Sequence, residues 1–107
     1  MKLVMAIINH DDAHLVISRL TKEGISVTKL ATTGGFLRSG NVTILVGVDE
    51  DRVPETIELI REHSKSRVEP MPTATGFGMG MFPTMPVDVR VGGATIFVLN
   101  VERFEKL

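Results

Sequence analysis

Residues 2–8, Lys-Leu-Val-Met-Ala-Ile-Ile, form an unbroken run dominated by apolar residues, and a helical stripe begins almost directly after it. A run this short and apolar reads as a central strand. Asp11 or Asp12 then caps a helix that extends to about Glu23. Ala13, Val16, Ile17 and Leu20 fall at i, i+3, i+4 and i+7, so they share one face. Gly24 stops the helix at the position where the backbone turns left-handed.

The same alternation of strand and helix continues. Residues 25–32 alternate as a second strand, with Ile25, Val27 and Lys29 on one side and Ser26, Thr28 and Leu30 on the other. A loop over 33–40 leads to a third strand, Asn41–Val48. Asp49-Glu50-Asp51 supplies acceptors for a second helix, Pro54 is acceptable in its first turn, and the helix ends near His63 or Ser64. Val53, Ile57 and Ile60 lie on one face of it. A final strand pair covers about Val87–Val91 and Ala94–Val101, broken by Gly92-Gly93. This βαββαβ order predicts a ferredoxin-like α+β sandwich with both helices on one sheet face. At 107 residues the whole chain, 1–107, is one domain. The other sheet face, rich in Val, Ile and Leu, needs cover, which predicts self-association.

Two connections stand out. Thr28 through Asn41 gathers Gly34, Gly35 and Gly40 around Phe36-Leu37, with hydroxyls at Thr28, Thr32 and Thr33, the Asn41 amide and the Arg38 guanidinium. Glycine lets another group approach the backbone closely. Together these groups suit a purine nucleotide, and they offer little that would carry out chemistry on it. A plain Gly-rich hairpin is the competing reading. Phe36 is hard to bury within its own subunit and is the candidate platform for a stacked base, a contact that contributes about 1–3 kcal/mol. Phe97, inside the last strand, is by default a core residue.

The second connection is Glu69–Pro86. It holds four of the five prolines, Gly76, Gly78 and Gly80, four methionines, and Phe77 and Phe82. It reads as a long flexible loop, and its apolar content suits contact with a neighbouring subunit, a ligand or a partner. A tolerated insertion is the alternative.

Composition narrows the function classes. A net charge of -1 and scattered basic residues argue against a nucleic-acid interface. Cysteine is absent, which removes disulfides and thiolate chemistry and fits a cytoplasmic protein. The N-terminal apolar run is too short to span a membrane and reaches Asn9-His10-Asp11-Asp12 without a cleavage-type segment. His10 and His14 stand at the i, i+4 spacing of a metal pair. They straddle the helix start, however, with His10 outside the helix, and capping already explains the carboxylates between them. Carboxylates elsewhere sit at helix starts or on solvated faces, and no nucleophile–base pair or Walker-type sequence occurs, so an enzyme is not expected.

The block Thr-Lys-Leu-Ala-Thr-Thr-Gly-Gly-Phe-Leu-Arg-Ser-Gly-Asn at 28–41, the strand end Val46-Gly47-Val48 and the later Val91-Gly92-Gly93-Ala94-Thr95-Ile96-Phe97-Val98-Leu99 resemble the PII-like cyclic-di-AMP receptor proteins of bacteria. The resemblance runs from Met1-Lys2-Leu3 to Phe104-Glu105. It implies a homotrimer with cyclic-di-AMP, a ligand rather than a cofactor, in a pocket at each subunit interface. Thr28 and Asn41 would hydrogen-bond an adenine, and backbone at Gly35, Leu37 and Gly47 would complete its recognition. Phe36 would pack on a base, and Phe97 would line the pocket. Members often carry Arg two residues before the Thr, where this chain has Ser26, and Lys106 stands in place of a Gln contact. The implied role is signal transduction, with ligand occupancy relayed to a downstream protein.

Two other readings remain open on the sequence. One is a PII-type regulator sensing ATP or ADP; such proteins have a long loop between the second and third strands, whereas here that connection is short and the length lies in 69–86. The other is a structural trimerisation domain without a small ligand.

Overall fold

The computed structural model describes residues 1–30, 40–72 and 86–107. The first sheet is built from β1 (Lys2–Asn9), β2 (Val27–Leu30), β3 (Asn41–Val48) and β6 (Ala94–Asn100), in the order β2-β3-β1-β6. All its pairings are antiparallel. Helix α1 (His10–Lys22) joins β1 to β2, and α2 (Val53–Ser64) follows β3 after a 3-10 turn, Glu50–Arg52. The expected ferredoxin-like sandwich is therefore present, with β6 as its fourth strand.

Strand alternation assigns the two faces. Val4, Ala6 and Ile8 of β1 and Val42, Ile44 and Val46 of β3 point to the helices and are buried. They meet Ala13, Val16 and Leu20 of α1 and Leu59 and Ile60 of α2 in one core. Of the stripe expected on α1, Ala13, Val16 and Leu20 are buried and Ile17 packs partly buried against the core. On α2 the buried face is rotated from the expected one: Thr56, Leu59, Ile60 and Ser64 are buried, while Val53 and Ile57 are only partly covered. Small hydroxyls serve there because each donates to its own helix, Thr56 Oγ1 to the Arg52 carbonyl at 2.8 Å and Ser64 Oγ to that of Ile60.

The cap of α1 differs from expectation. Asn9, rather than Asp11 or Asp12, is the N-cap; its side-chain oxygen accepts from the Asp11 N–H at 2.9 Å. β1 runs one residue further than expected, to Asn9, so the helix begins at once and His10 lies inside it. Asp11 and Asp12 occupy the first turn, where their charge meets the helix dipole favourably. Gly24 has φ +79°, the left-handed conformation expected of it. The guanidinium of Arg52 closes this end by donating to the Glu23 carbonyl at 3.1 Å.

The long connection is shorter than expected. Glu69 through Pro72 belong to a strand, β4 (Arg67–Pro72), and Pro86 opens β5 (Pro86–Val91). β4 and β5 pair antiparallel, from Arg67 opposite Val91 to Pro72 opposite Pro86, as a separate two-stranded ribbon. β5 is thus the partner of β4, not of β6. Prolines suggested a loop, but each strand of a ribbon has an open edge where a missing N–H leaves no ladder bond unmade. The middle of the expected loop, 73–85, lies outside the described residues.

The ribbon is anchored at its base. Arg67 forms a two-pronged pair with Asp12, Nη2–Oδ1 at 2.9 Å and Nη1–Oδ2 at 3.3 Å, and its Nε reaches Glu69 at 2.9 Å. Hydrogen bonding to Asp12 foremost, and to Glu69, pushes the Arg67 pKa above its ordinary value. Gly92 lies against this pair with φ +80°; a Cβ there would stand 2.6 Å from Arg67 Nη1 and 2.9 Å from the Lys65 carbonyl, so no other residue fits.

Candidate functional site

The sheet face away from the helices carries the site. Pairing puts Thr28, Leu45, Met5 and Phe97 in one row across β2, β3, β1 and β6, and Gly47, Leu3 and Leu99 in the next. Residues paired in this way share a face. Phe97 and Leu99 are 48% and 44% exposed, so an apolar surface stands uncovered towards the β6 edge. Phe97 is thus a surface residue, contrary to its default reading as core.

Beside the β2–β3 edge of this face lies an open depression of about 640 Å³. Thr28 and Ser26 border it from the second-strand segment, and Leu45 and Gly47 from β3. Met1 and Leu3 contribute from the N-terminal segment, and Val101, Phe104, Glu105 and Lys106 from the C-terminal tail. The tail returns there because the Val101 N–H donates to the Met1 carbonyl at 3.3 Å.

Three of the sequence-predicted residues, Thr28, Gly47 and Lys106, therefore converge. Asn41 lies elsewhere on the protomer. It opens β3 opposite Asn9, four residues from Leu45 and hence about 13 Å along the strand. Phe97 is in the row of Thr28 but three strands away, about 14 Å. Gly35, Phe36 and Leu37 lie outside the described residues.

Sequence reasoning missed Phe104, which is 62% exposed at the depression. It also missed Met1, Leu3 and Glu105. For Leu3 a signal existed: it alternates with the core positions of β1 and so points to the opposite face. For the tail there was none, because residues 101–107 have no periodicity.

The chemistry of the depression is that of binding. Leu3, Leu45 and Met1 give an apolar floor, Phe104 an aromatic wall, Ser26 and Thr28 hydroxyls that both donate and accept, and Lys106 a cation. Gly47 adds no side chain, so the β3 backbone is left open there; a Cβ would meet only Met1 Sδ, at 3.5 Å. The carboxylate present, Glu105, is held by Arg103 at 3.1 Å. Lys106 is the lysine lining this depression, with Ser26 across from it, and its ammonium is a point charge rather than a fork. Among the described residues, no three His, Asp or Glu side chains cluster as metal ligands, and no helix is long and apolar enough to cross a membrane.

Similarity to known proteins extends over essentially the whole chain. In the solved structure of a functionally unknown protein from Pediococcus pentosaceus ATCC 25745, 42% of residues are identical; the match covers 99% of this chain and 96% of that one, with a TM-score of 0.77. The family model described as cyclic-di-AMP receptor matches residues 1–107. The chain is a member of the cyclic-di-AMP receptor family.

Proposed function

We propose that the protein is a cytoplasmic, PII-like signalling receptor that binds cyclic-di-AMP between the subunits of a homotrimer and relays its occupancy to a protein partner. The observation that carries this reading is the convergence of Thr28, Gly47 and Lys106 on one depression at the margin of an uncovered apolar sheet face. The depression is open, and Asn41, about 13 Å along β3 from Leu45 in its lining, is too far away to close it from the same protomer. A neighbouring copy that covers the apolar face brings its own residues to that margin. Thr28 and Asn41 read the adenine, the backbone at Gly35, Leu37 and Gly47 completes its recognition, Phe36 stacks on the base, Phe97 lines the pocket, and Lys106 meets phosphate. Adenine suits such groups because its edge carries both donors and acceptors, which a hydroxyl, an amide and backbone groups match.

Light scattering of the purified protein at micromolar concentration is expected to give the mass of a trimer. A monomer would remove the interface on which this reading depends.

A further inference from the structure

The first turn of α1 touches two parts of the chain that the fold otherwise keeps apart. On one side, Asn9 stands directly opposite Asn41 in the β1–β3 register, and the His10 N–H donates to the Gly40 carbonyl. Gly40 is the last residue of the Gly-rich connection, and Asn41 follows it. On the other side, the buried Asp12 carboxylate grips Arg67, the first residue of β4, with both oxygens. The guanidinium also donates to Glu69 and lies close to the backbone of Gly92, while the Arg67 side chain is 39% exposed. Beyond that base, β4 and β5 are hydrogen-bonded to each other and stand apart from the main sheet.

We propose that the Asp12–Arg67 pair is a latch through which the first turn of α1 couples the Gly40-Asn41 end of the ligand-binding connection to the β4–β5 ribbon. Asp12 and Arg67 are positioning residues here and touch no ligand. A nucleotide that engages Asn41 acts on the strand end opposite Asn9 and on the carbonyl that His10 holds. Two residues further along the same helical turn, Asp12 carries any shift to the ribbon base. A ligand moves such an element only if it binds one arrangement better than the other, so the coupling requires the ribbon to have a second arrangement in which the pair is released. The latch stands on the contacts alone; its control by cyclic-di-AMP rests on the function proposed above.

Hydrogen exchange of the whole protein tests both halves, with Asp12→Asn and Arg67→Gln compared with wild type and binding followed in parallel by calorimetry. Without ligand, each variant is expected to speed exchange over 67–72 and 86–91 by at least about tenfold, while β1 and β3 keep their protection. Ribbon exchange unchanged in the variants overturns the latch. Arg67→Gln leaves the buried Asp12 in place and decides the matter if Asp12→Asn loses β1 and β3 protection as well. With cyclic-di-AMP bound, wild type is expected to change its ribbon protection, and the variants to bind the nucleotide within about threefold of wild type with most of that change lost. A full ribbon response in a variant that binds overturns the coupling. Absence of calorimetric binding in wild type overturns the ligand assignment, and the coupling with it, while the free-protein comparison still judges the latch.

Discussion

Gly47→Val is expected to lower cyclic-di-AMP affinity by roughly a hundredfold, about 2.7 kcal/mol, and to leave the fold intact. Gly47 is an exposed position, the penultimate residue of β3, opposite Leu3, and borders the depression that also holds Thr28 and Lys106. A Cβ added there meets nothing closer than Met1 Sδ at 3.5 Å, so the sheet accepts it. Valine is also a better strand former than glycine, and thermal stability should be unchanged or raised. The branched side chain instead fills space that a base needs for its approach to the backbone. Calorimetry with thermal unfolding of the same sample separates the two effects. Wild-type affinity in a folded Gly47→Val protein would show that the ligand lies elsewhere.

The largest expected loss of stability comes from the helix side. Ile60 is fully buried, on the face that α2 turns to the sheet. Ile60→Ala removes apolar atoms from a close-packed site and leaves a cavity, a change that costs about 2–5 kcal/mol. For a domain of this size each kcal/mol lowers Tm by about 4–8 °C, provided protein concentration is held fixed in an oligomer. Leu15→Ala is the control: Leu15 lies on α1 but is exposed, and its loss should cost well under 1 kcal/mol. Similar shifts for the two would mean that α2 does not cover the sheet in this way.

Much of this architecture was legible from residue spacing alone. The i, i+3, i+4, i+7 stripe of Ala13, Val16, Ile17 and Leu20 leaves one way to bury α1, and Asn41–Val48 agrees with the structure to the residue. What was not legible depended on pairing between distant segments. Asn9, Asp11 and Asp12 are all good caps; the choice fell to Asn9 because β1 pairs with β3 as far as Asn41. Pro70, Pro72 and Pro86 hid β4 and the start of β5, since local sequence does not reveal that a ribbon edge tolerates proline. The Asp12–Arg67 pair spans the two helices in sequence and has no local signature at all. The site was half visible. Thr28 was singled out by residue type and by the family resemblance, Gly47 and Lys106 by the resemblance alone. The depression they share exists only because the C-terminal tail returns to Met1 and carries Phe104 with it.

Nucleotide discrimination tests the central claim most directly. Titration calorimetry of the purified protein against cyclic-di-AMP, cyclic-di-GMP and ATP, at one protein concentration and one ionic strength, compares bases on the same phosphate scaffold and one base on different scaffolds. Guanine reverses donor and acceptor at the six-position, so groups matched to adenine are left unpaired, at about 1–3 kcal/mol for each buried group. The expected result is saturable binding of cyclic-di-AMP, with cyclic-di-GMP weaker by at least about tenfold and ATP weaker still. Equal affinity for the two cyclic dinucleotides, or preference for ATP, would contradict the account.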